Sequence, residues 1–306
     1  TVPRNTYEII VVDDGSTDQT RAVAERPDVI VLSQTNQGPA AARNAGARKA
    51  SGELLLFTDS DCVPDRHWLD EMTAPFREPD VMGVKGVYRT RQRGLAPRFV
   101  QCEFEERYAK LKRRPSIDFV DTYSAAFRTD AFWKVGGFDP AFPYADHEDV
   151  DFAYRMAGCG YKMVFNPRAF VYTEHPDSIG AYFRLKFGRG YWRTVVYRRF
   201  PRKAFRDSYT PQTLKLQILL TYGIVCGVLA GILSGSWGIL GGLYLLFLAS
   251  AVPFSYRASR RDPVVALVSP FFLLVRSAAI GLGIIWAALR SFLGRTSLRE
   301  SGAGGG

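Results

Sequence analysis

Tyr7-Glu8-Ile9-Ile10-Val11-Val12-Asp13-Asp14-Gly15-Ser16-Thr17-Asp18 is the stretch whose reading decides the fold. A mostly apolar run that ends in paired acids and passes into a Gly-Ser turn predicts a strand leading into a helix, with Ser16 or Thr17 suited to cap it. Two further runs repeat the pattern, Asp28 to Ser33 and Glu53 to Thr58, and the intervening segments Ser16 to Glu25 and Pro39 to Ala50 have helical composition. Continuous apolar strands alternating with helices predict an α/β protein: buried parallel strands in an open, Rossmann-like sheet with helices on both faces. Sheets of this kind bind ligands beyond the carboxyl ends of their strands. Asp13-Asp14 and Asp59-Ser60-Asp61 both stand at such ends.

Outward from this core, the charge changes sign along the chain. The 306 residues carry a net charge of +10, yet residues 1–177 hold 23 Lys/Arg against 27 Asp/Glu, and residues 178–306 hold 17 against 3. That asymmetry excludes a uniformly basic nucleic-acid binder and places the basic half apart from the sheet. Cys62, Cys102, Cys159 and Cys226 show neither a C-x-x-C nor a zinc spacing, so they read as reduced thiols facing cytosol or lipid.

Lys215 and Arg257 bound 41 uncharged positions. One crossing of a bilayer needs about 20 such residues, so the run predicts two helices joined at Ser234-Gly235-Ser236. Pro263 to Leu289 holds Arg276 as its only charge and reads either as a third crossing or as a re-entrant element, because a third crossing would export Arg290, Arg295 and Arg299. Ser178 to Arg206 contains nine Lys/Arg and no acid, interleaved with Tyr182, Phe187, Trp192 and other apolar residues. It predicts an amphipathic helix, broken near Gly188 and Gly190, on an anionic membrane face. The neighbouring apolar hairpin favours a membrane over RNA as its partner. Arg193 to Arg206 and the Arg257/Arg260/Arg261 loop then lie in the cytoplasm. The expected division is a sheet domain at 1–177, an interfacial segment at 178–212, membrane helices at 213–293 and a flexible tail at 294–306.

The chemistry-bearing motifs follow the strands. Asp59-Ser60-Asp61 precedes a helix expected to start near Pro64. Two carboxylates this close repel unless a cation or proton intervenes, and hard oxygens with open positions suit Mg²⁺ or Mn²⁺ on a diphosphate. Asp13 and Asp14 can accept from a base imide or a ribose hydroxyl, and the same letters fit a phosphoacceptor receiver. Gly38-Pro39 makes a turn into a small-residue helix whose Arg43 can reach phosphate or base. His147-Glu148-Asp149-Val150-Asp151 sets three acids in one helical turn, favoured there by the helix dipole and available as a general base. Before it, Val135-Gly136-Gly137-Phe138-Asp139 forms a tight turn with an aromatic able to shape an acceptor pocket.

In this order, with Asn36-x-Gly38-x4-Arg43-Asn44-x-Gly46 and Glu148-Asp149-x-Asp151-x3-Arg155 among them, the motifs over residues 7 to about 206 resemble a membrane-associated family-2 glycosyltransferase of the GT-A fold. The resemblance implies a mixed sheet and a metal-dependent, inverting hexosyltransferase. Such an enzyme takes a nucleotide-diphosphate sugar donor and a hydroxyl acceptor, lipid-linked or envelope glycan. It implies a multi-pass protein of the cell inner membrane with a cytoplasmic catalytic domain. Carried over residue by residue, Asp13, Asp14, Gly38, Arg43 and Asp59 would bind the nucleotide sugar, and Asp61 with Asp59 would hold the cation. Asp149 would be the general base, with Glu148 or Asp151 as alternative, and His175 would lie near the metal or diphosphate. Relatives begin one strand and one helix earlier, so a central strand is expected to be missing and the chain reads as truncated at its front. The processive Gln-x-x-Arg-Trp signature is replaced by Gly188-Arg189-Gly190-Tyr191-Trp192-Arg193, which favours single addition. The alternative is a membrane-tethered nucleotide-binding or receiver-like signalling domain without transferase activity.

Overall fold

The leading apolar run forms strand β1 (Ile10–Asp13), paired in parallel with β2 (Ile30–Ser33) so that Ile10 faces Ile30 and Asp13 faces Ser33. The computed structural model describes residues 2–142, 146–205, 207–208, 210–235 and 237–293. Helix α1 (Thr20–Ala24) is shorter than expected, and α2 (Pro39–Lys49) packs on β1 through Gly46, where a Cβ would stand 3.2 Å from a Val12 methyl. The chain continues through β3 (Leu54–Phe57), β4 (Val63–Pro64), α3 (Trp68–Thr73), β5 (Val81–Arg89), α4 (Leu95–Leu111), β6 (Ala125–Arg128), α5 (Thr129–Lys134), α6 (Glu148–Gly158) and β7 (Lys162–Tyr172).

The strands form two hydrogen-bonded sheets, β1-β2 and β3-β6-β5-β7-β4. In the larger one β5 and β7 are parallel and the other three pairings are antiparallel, so the sheet is mixed. The mixed sheet is the one the family resemblance implies, whereas the parallel direction read from the apolar runs alone holds for β1-β2 and β5-β7 and not for the other pairings. Apolar content marks a strand but not its direction, and β1 and β2, with only each other as sheet neighbours among the described residues, are mostly half-buried. The segment after Asp61 forms β4 rather than the start of a helix; α3 begins at Trp68.

Packing is tightest under α3. Trp68, Met72 and Phe76 cover Val81, Val84, Ala126 and Val171, and the Trp68 indole N–H donates to Ser124 Oγ at 2.8 Å. A second cluster is aromatic: Phe57, Phe127, Phe132, Phe138 and Phe152 meet mostly edge-on or tilted, with Phe57 and Phe132 stacked, arrangements that ring quadrupoles favour. Four of these five rings are essentially inaccessible to solvent.

Two compact units emerge, 2–89 with 111–173, and 90–110 with 174–293. Segment 90–110 therefore sits with the C-terminal helices rather than with the sheet, because Phe99 of α4 stacks on Phe272 at 4.6 Å and Glu103 is buried among cations of that unit. The second unit contains α7 (Ile179–Arg199), α8 (Pro201–Phe205), α9 (Gln212–Ser234), α10 (Gly238–Ser259) and α11 (Pro263–Phe292). Helices α9, α10 and α11 are each long and apolar enough to cross a membrane. Helix α7 is unbroken, contrary to the expected interruption: Gly190 does not end it but lets the Ile280 backbone approach, where a Cβ would overlap. None of the four cysteines is in a disulfide. Ser236, Arg206 and the expected tail at 294–306, with Arg295 and Arg299, lie outside the described residues.

Gly86 of β5 tests this packing. A Cβ there would overlap both Ser124 Oγ and the Ala169 carbonyl oxygen. Gly86→Ala is expected to lower stability by about 1–3 kcal/mol through overpacking, measured as a shift in denaturation midpoint; an unchanged midpoint rejects the packing described.

Candidate active site

Two loops are locked together beyond the carboxyl ends of β1 and β2. Asp13 accepts the Ser16 N–H at 2.9 Å, and hydrogen bonds from Ser16 hold its carboxyl below the usual range. Gly15 takes φ +79°, and a Cβ there would stand 2.9 Å from Asn36 N, so only glycine permits the approach. Asp14 accepts three hydrogen bonds from the facing loop: Gln34 Nε2 at 2.7 Å, Gln37 N at 2.9 Å and Gly38 N at 2.8 Å. A carboxylate has about four acceptor positions, so Asp14 orders the 34–38 loop and keeps about one for a ligand. Gly38, at φ +92°, turns this loop into α2, and Pro39 opens the helix where its missing N–H costs nothing.

One turn into α2, Arg43 joins the two acidic motifs. Its Nη1 lies 2.5 Å from Glu148 Oε1 and its Nη2 2.9 Å from Asp59 Oδ1, while the Glu148 side chain is only 2% exposed. One guanidinium therefore faces Asp59 and Glu148, with Asp61 and Asp149 near enough to act on them. Burial, then Asp149 and Asp61, raises the Asp59 carboxyl against the pull of Arg43. Burial, then Asp149, pushes Glu148 up to about 8. Glu148 Oε2 is buried with no hydrogen-bond partner among the described residues.

The three acids at the head of α6, equivalent by letter, have different surroundings. Asp151 is buried and pairs with Arg155 at 2.9 Å; Arg155 in turn donates to the carbonyls of Val135 and Gly137. Asp151 thus clamps the Gly136-Gly137 turn, to which Asn44 adds paired bonds with the Phe138 backbone at 2.7 and 3.0 Å. Asp149 is the one of the three that opens to solvent, with Oδ1 accepting from Val150 N and Oδ2 from Thr122 N.

Ligand atoms of Asp59, Asp61 and Cys62 lie within 4.8 Å of one another. Burial, with Asp59 and Asp61, pushes the Cys62 thiol up to about 12, so the sulfur keeps its proton and the donor set is two carboxylates. Hard oxygen donors around unbalanced negative charge fit Mg²⁺ or Mn²⁺. His175 belongs to the second unit, where its ring stacks on Phe104, Nε2 lies 2.9 Å from Gln101 Oε1, and burial with Arg189 and Lys186 pushes its pKa down to about 4.

Two residues of the site carried no assigned role in the sequence reading. Cys62 carried its only signal in adjacency to Asp61. His147 is the one described non-glycine residue with positive φ, at +74°, and it turns the chain into α6 so that Glu148 faces inward. Backbone strain of this kind gathers at functional sites, and histidine is among the residues that tolerate it.

Two measurements follow. In protein freed of metal by a chelator, the folded state binds the Glu148 proton more tightly than the unfolded state does, whose carboxyl has the ordinary value of 4.5. Stability should therefore be full below that value and fall as pH rises through the folded value of about 8. Glu148→Gln should remove this decline in denaturation midpoints between about pH 5 and about pH 8; an unchanged slope rejects the raised carboxyl. At the turn, His147→Gly should be more stable than His147→Ala by about 1 kcal/mol, because both lose the imidazole and only glycine relieves the positive φ.

Residues 2–136 match the family model described as Glycosyl transferase family 2. Pre-mycofactocin glycosyltransferase of Mycobacterium tuberculosis is 28% identical over 234 residues, 73% of this chain and 49% of that protein. Glycosyltransferase AglE of Haloferax volcanii is 28% identical over 180 residues, 54% of this chain and 56% of that protein. The chain thus spans about half the length of these curated relatives. Among solved structures, the mannosyltransferase PcManGT of Pyrobaculum calidifontis, in complex with GDP-Man and Mn²⁺, shares the fold with a TM-score of 0.59 at 23% identity, over 93% of this chain and 79% of that one. With the ordered motifs, residues 2–136 are similar to glycosyl transferase family 2, and the mixed sheet shares the fold of the PcManGT structure.

Proposed function

We propose that the protein is a metal-assisted, inverting glycosyltransferase that moves a sugar from a nucleotide-diphosphate donor to a hydroxyl acceptor at the cytoplasmic face of a membrane. The observation that carries this reading is the gathering of Asp59, Glu148 and Asp149 around the cation of Arg43, with Asp61 beside Asp59. Asp14, Gly38 and the loop they order form the nucleotide side, with Asp13 holding the turn. Asp59 and Asp61 are the residues that would hold Mn²⁺ or Mg²⁺, whose chemistry there is to neutralise charge on the donor diphosphate. His175, bonded to Gln101 and stacked on Phe104, carries no assigned step in this reading.

Asp149 is the base in this reading. Glu148, raised to about 8, keeps its proton near neutrality, and Asp151 is spent on Arg155. The acceptor O–H gives its proton to Asp149 as the oxygen bonds to the anomeric carbon, and the bond from that carbon to the diphosphate oxygen breaks on the opposite face. Inversion follows from that in-line geometry. Arg43 holds Asp59 and Glu148 in place during the transfer. The apolar hairpin and the basic segment before it support a lipid-linked or envelope-glycan acceptor.

The test is a sugar-nucleotide panel with Mn²⁺ or Mg²⁺ and membrane extract, scored by released nucleoside diphosphate. Asp149→Asn is expected to lose about 10²- to 10⁴-fold in rate, and Asp61→Ala at least about 10²-fold. Turnover near that of the parent in either variant rejects the role assigned to that residue.

A further inference from the structure

Helices α7 and α11 lie side by side and parallel. Tyr182 meets Phe272 at 5.9 Å, Lys186 and Arg276 share the Glu103 carboxylate at 2.8 and 3.0 Å, and Arg198 reaches Ser291 at 2.6 Å. Between these points the two backbones touch at Gly190 against Ile280 and at Gly283 against Phe187. The contacts advance together along both helices. On the same buried side, α4 covers the first half of α11 through Arg98 with Asp262 at 2.6 Å, Phe99 with Phe272, and Glu103 with Arg276.

These partners cannot enter hydrocarbon. Helix α7 carries Arg184, Lys186, Arg189, Arg193, Arg198 and Arg199, and α4 carries Glu103, Glu105, Glu106, Arg107 and Lys110. A crossing α11 would draw α7 in with it, at about 2.5–3.5 kcal/mol for each basic residue near the bilayer centre.

The hairpin gives the same answer independently. It meets α11 at its base, where Leu214, Ile218 and Tyr222 of α9 pack with Ile280 and Ile284. Beyond Tyr222 the buried residues of α9 are Gly227 and Gly231, which face Leu240 and Trp237 of α10, and α10 has no buried residue before Phe247 among those described. The stretch 214–222 is about two turns, roughly 12 Å, so α9 meets α11 over less than half of its length. Away from these partners, Leu267, Phe271, Leu282, Ile285, Leu289 and Phe292 are exposed at helical spacing. They make an apolar stripe along a helix about 45 Å long.

We propose that α11 is a monotopic helix lying in the plane of the membrane interface, its stripe set into the acyl boundary of one leaflet. The chain then crosses the bilayer twice, by α9 and α10, and residue 293 emerges on the side where α9 began. Arg276 lies at the interface with Glu103 rather than at the bilayer midplane. Arg257, Arg260, Arg261 and Arg290 all stay on one side, as the positive-inside rule requires. None of this depends on the transferase reading.

Single cysteines at Ser234, Ser259 and Leu293 of the full chain, in right-side-out and inside-out membrane vesicles, test it with a membrane-impermeant maleimide read peptide by peptide by mass spectrometry. Ser259→Cys and Leu293→Cys should label from one side and Ser234→Cys from the other; labelling of Leu293→Cys together with Ser234→Cys overturns the proposal. Spin labels at Leu267, Leu282 and Leu289 provide a second measurement. An in-plane helix sets all three at one depth, whereas a crossing helix spreads them by up to about 33 Å, and a steady change of depth along the three also overturns it.

Discussion

The Arg43 guanidinium, caught between Asp59 and Glu148, is the interaction on which the candidate site of this protein depends. Its partners lie 16 and 105 residues away, one in the loop after β3 and one at the head of α6. Losing any one of the three would leave a buried charge or hydrogen-bonding group without its partner, so the three segments hold one another in register. The arrangement remains unbalanced among the described residues, because Arg43 meets Asp59, Glu148 and Asp149 while Asp61 adds a further carboxyl beside Asp59. That imbalance raises Asp59 and Glu148, and it makes a divalent cation at Asp59 and Asp61 favourable.

The second unit solves the opposite problem with the same physics. Buried Glu103 is the one acid among Lys186, Arg276 and Arg107, which hold its carboxyl far below the usual range despite burial. A buried ion pair contributes little net stability against an apolar core, but it penalises any arrangement that separates its members. Here it ties α4, α7 and α11 together. It also gives Arg276, an expensive residue in an apolar helix, a reason to face inward.

Much of the fold was legible because apolar runs ending in acids mark strand ends whatever the surrounding topology. Asp13-Asp14 and Asp59-Ser60-Asp61 could be singled out that way, and Glu148-Asp149-x-Asp151 as acids crowded into one helical turn. The antiparallel pairing of β3 with β6 could not, since both strands are short apolar runs and direction is set by where the intervening chain returns. Nor could the letters separate Glu148, Asp149 and Asp151. Their difference is one of environment: Glu148 under Arg43, Asp151 under Arg155, Asp149 open to solvent. Gly190 read as a helix breaker because its partner, the Ile280 backbone, is distant in sequence.

By itself the sequence determined the α/β class, the separation of an acidic half from a basic and apolar half, and the acids available for chemistry. These follow from composition and periodicity, which are local properties of the chain. Tertiary structure alone decided that Arg43 would bind two acidic motifs into one site, that Cys62 would stay a protonated thiol beside Asp61, and that α11 would lie against charged helices. Those outcomes depend on which distant groups share a region shielded from water, and the strength of a charge interaction is set by that shielding rather than by the identity of the residue.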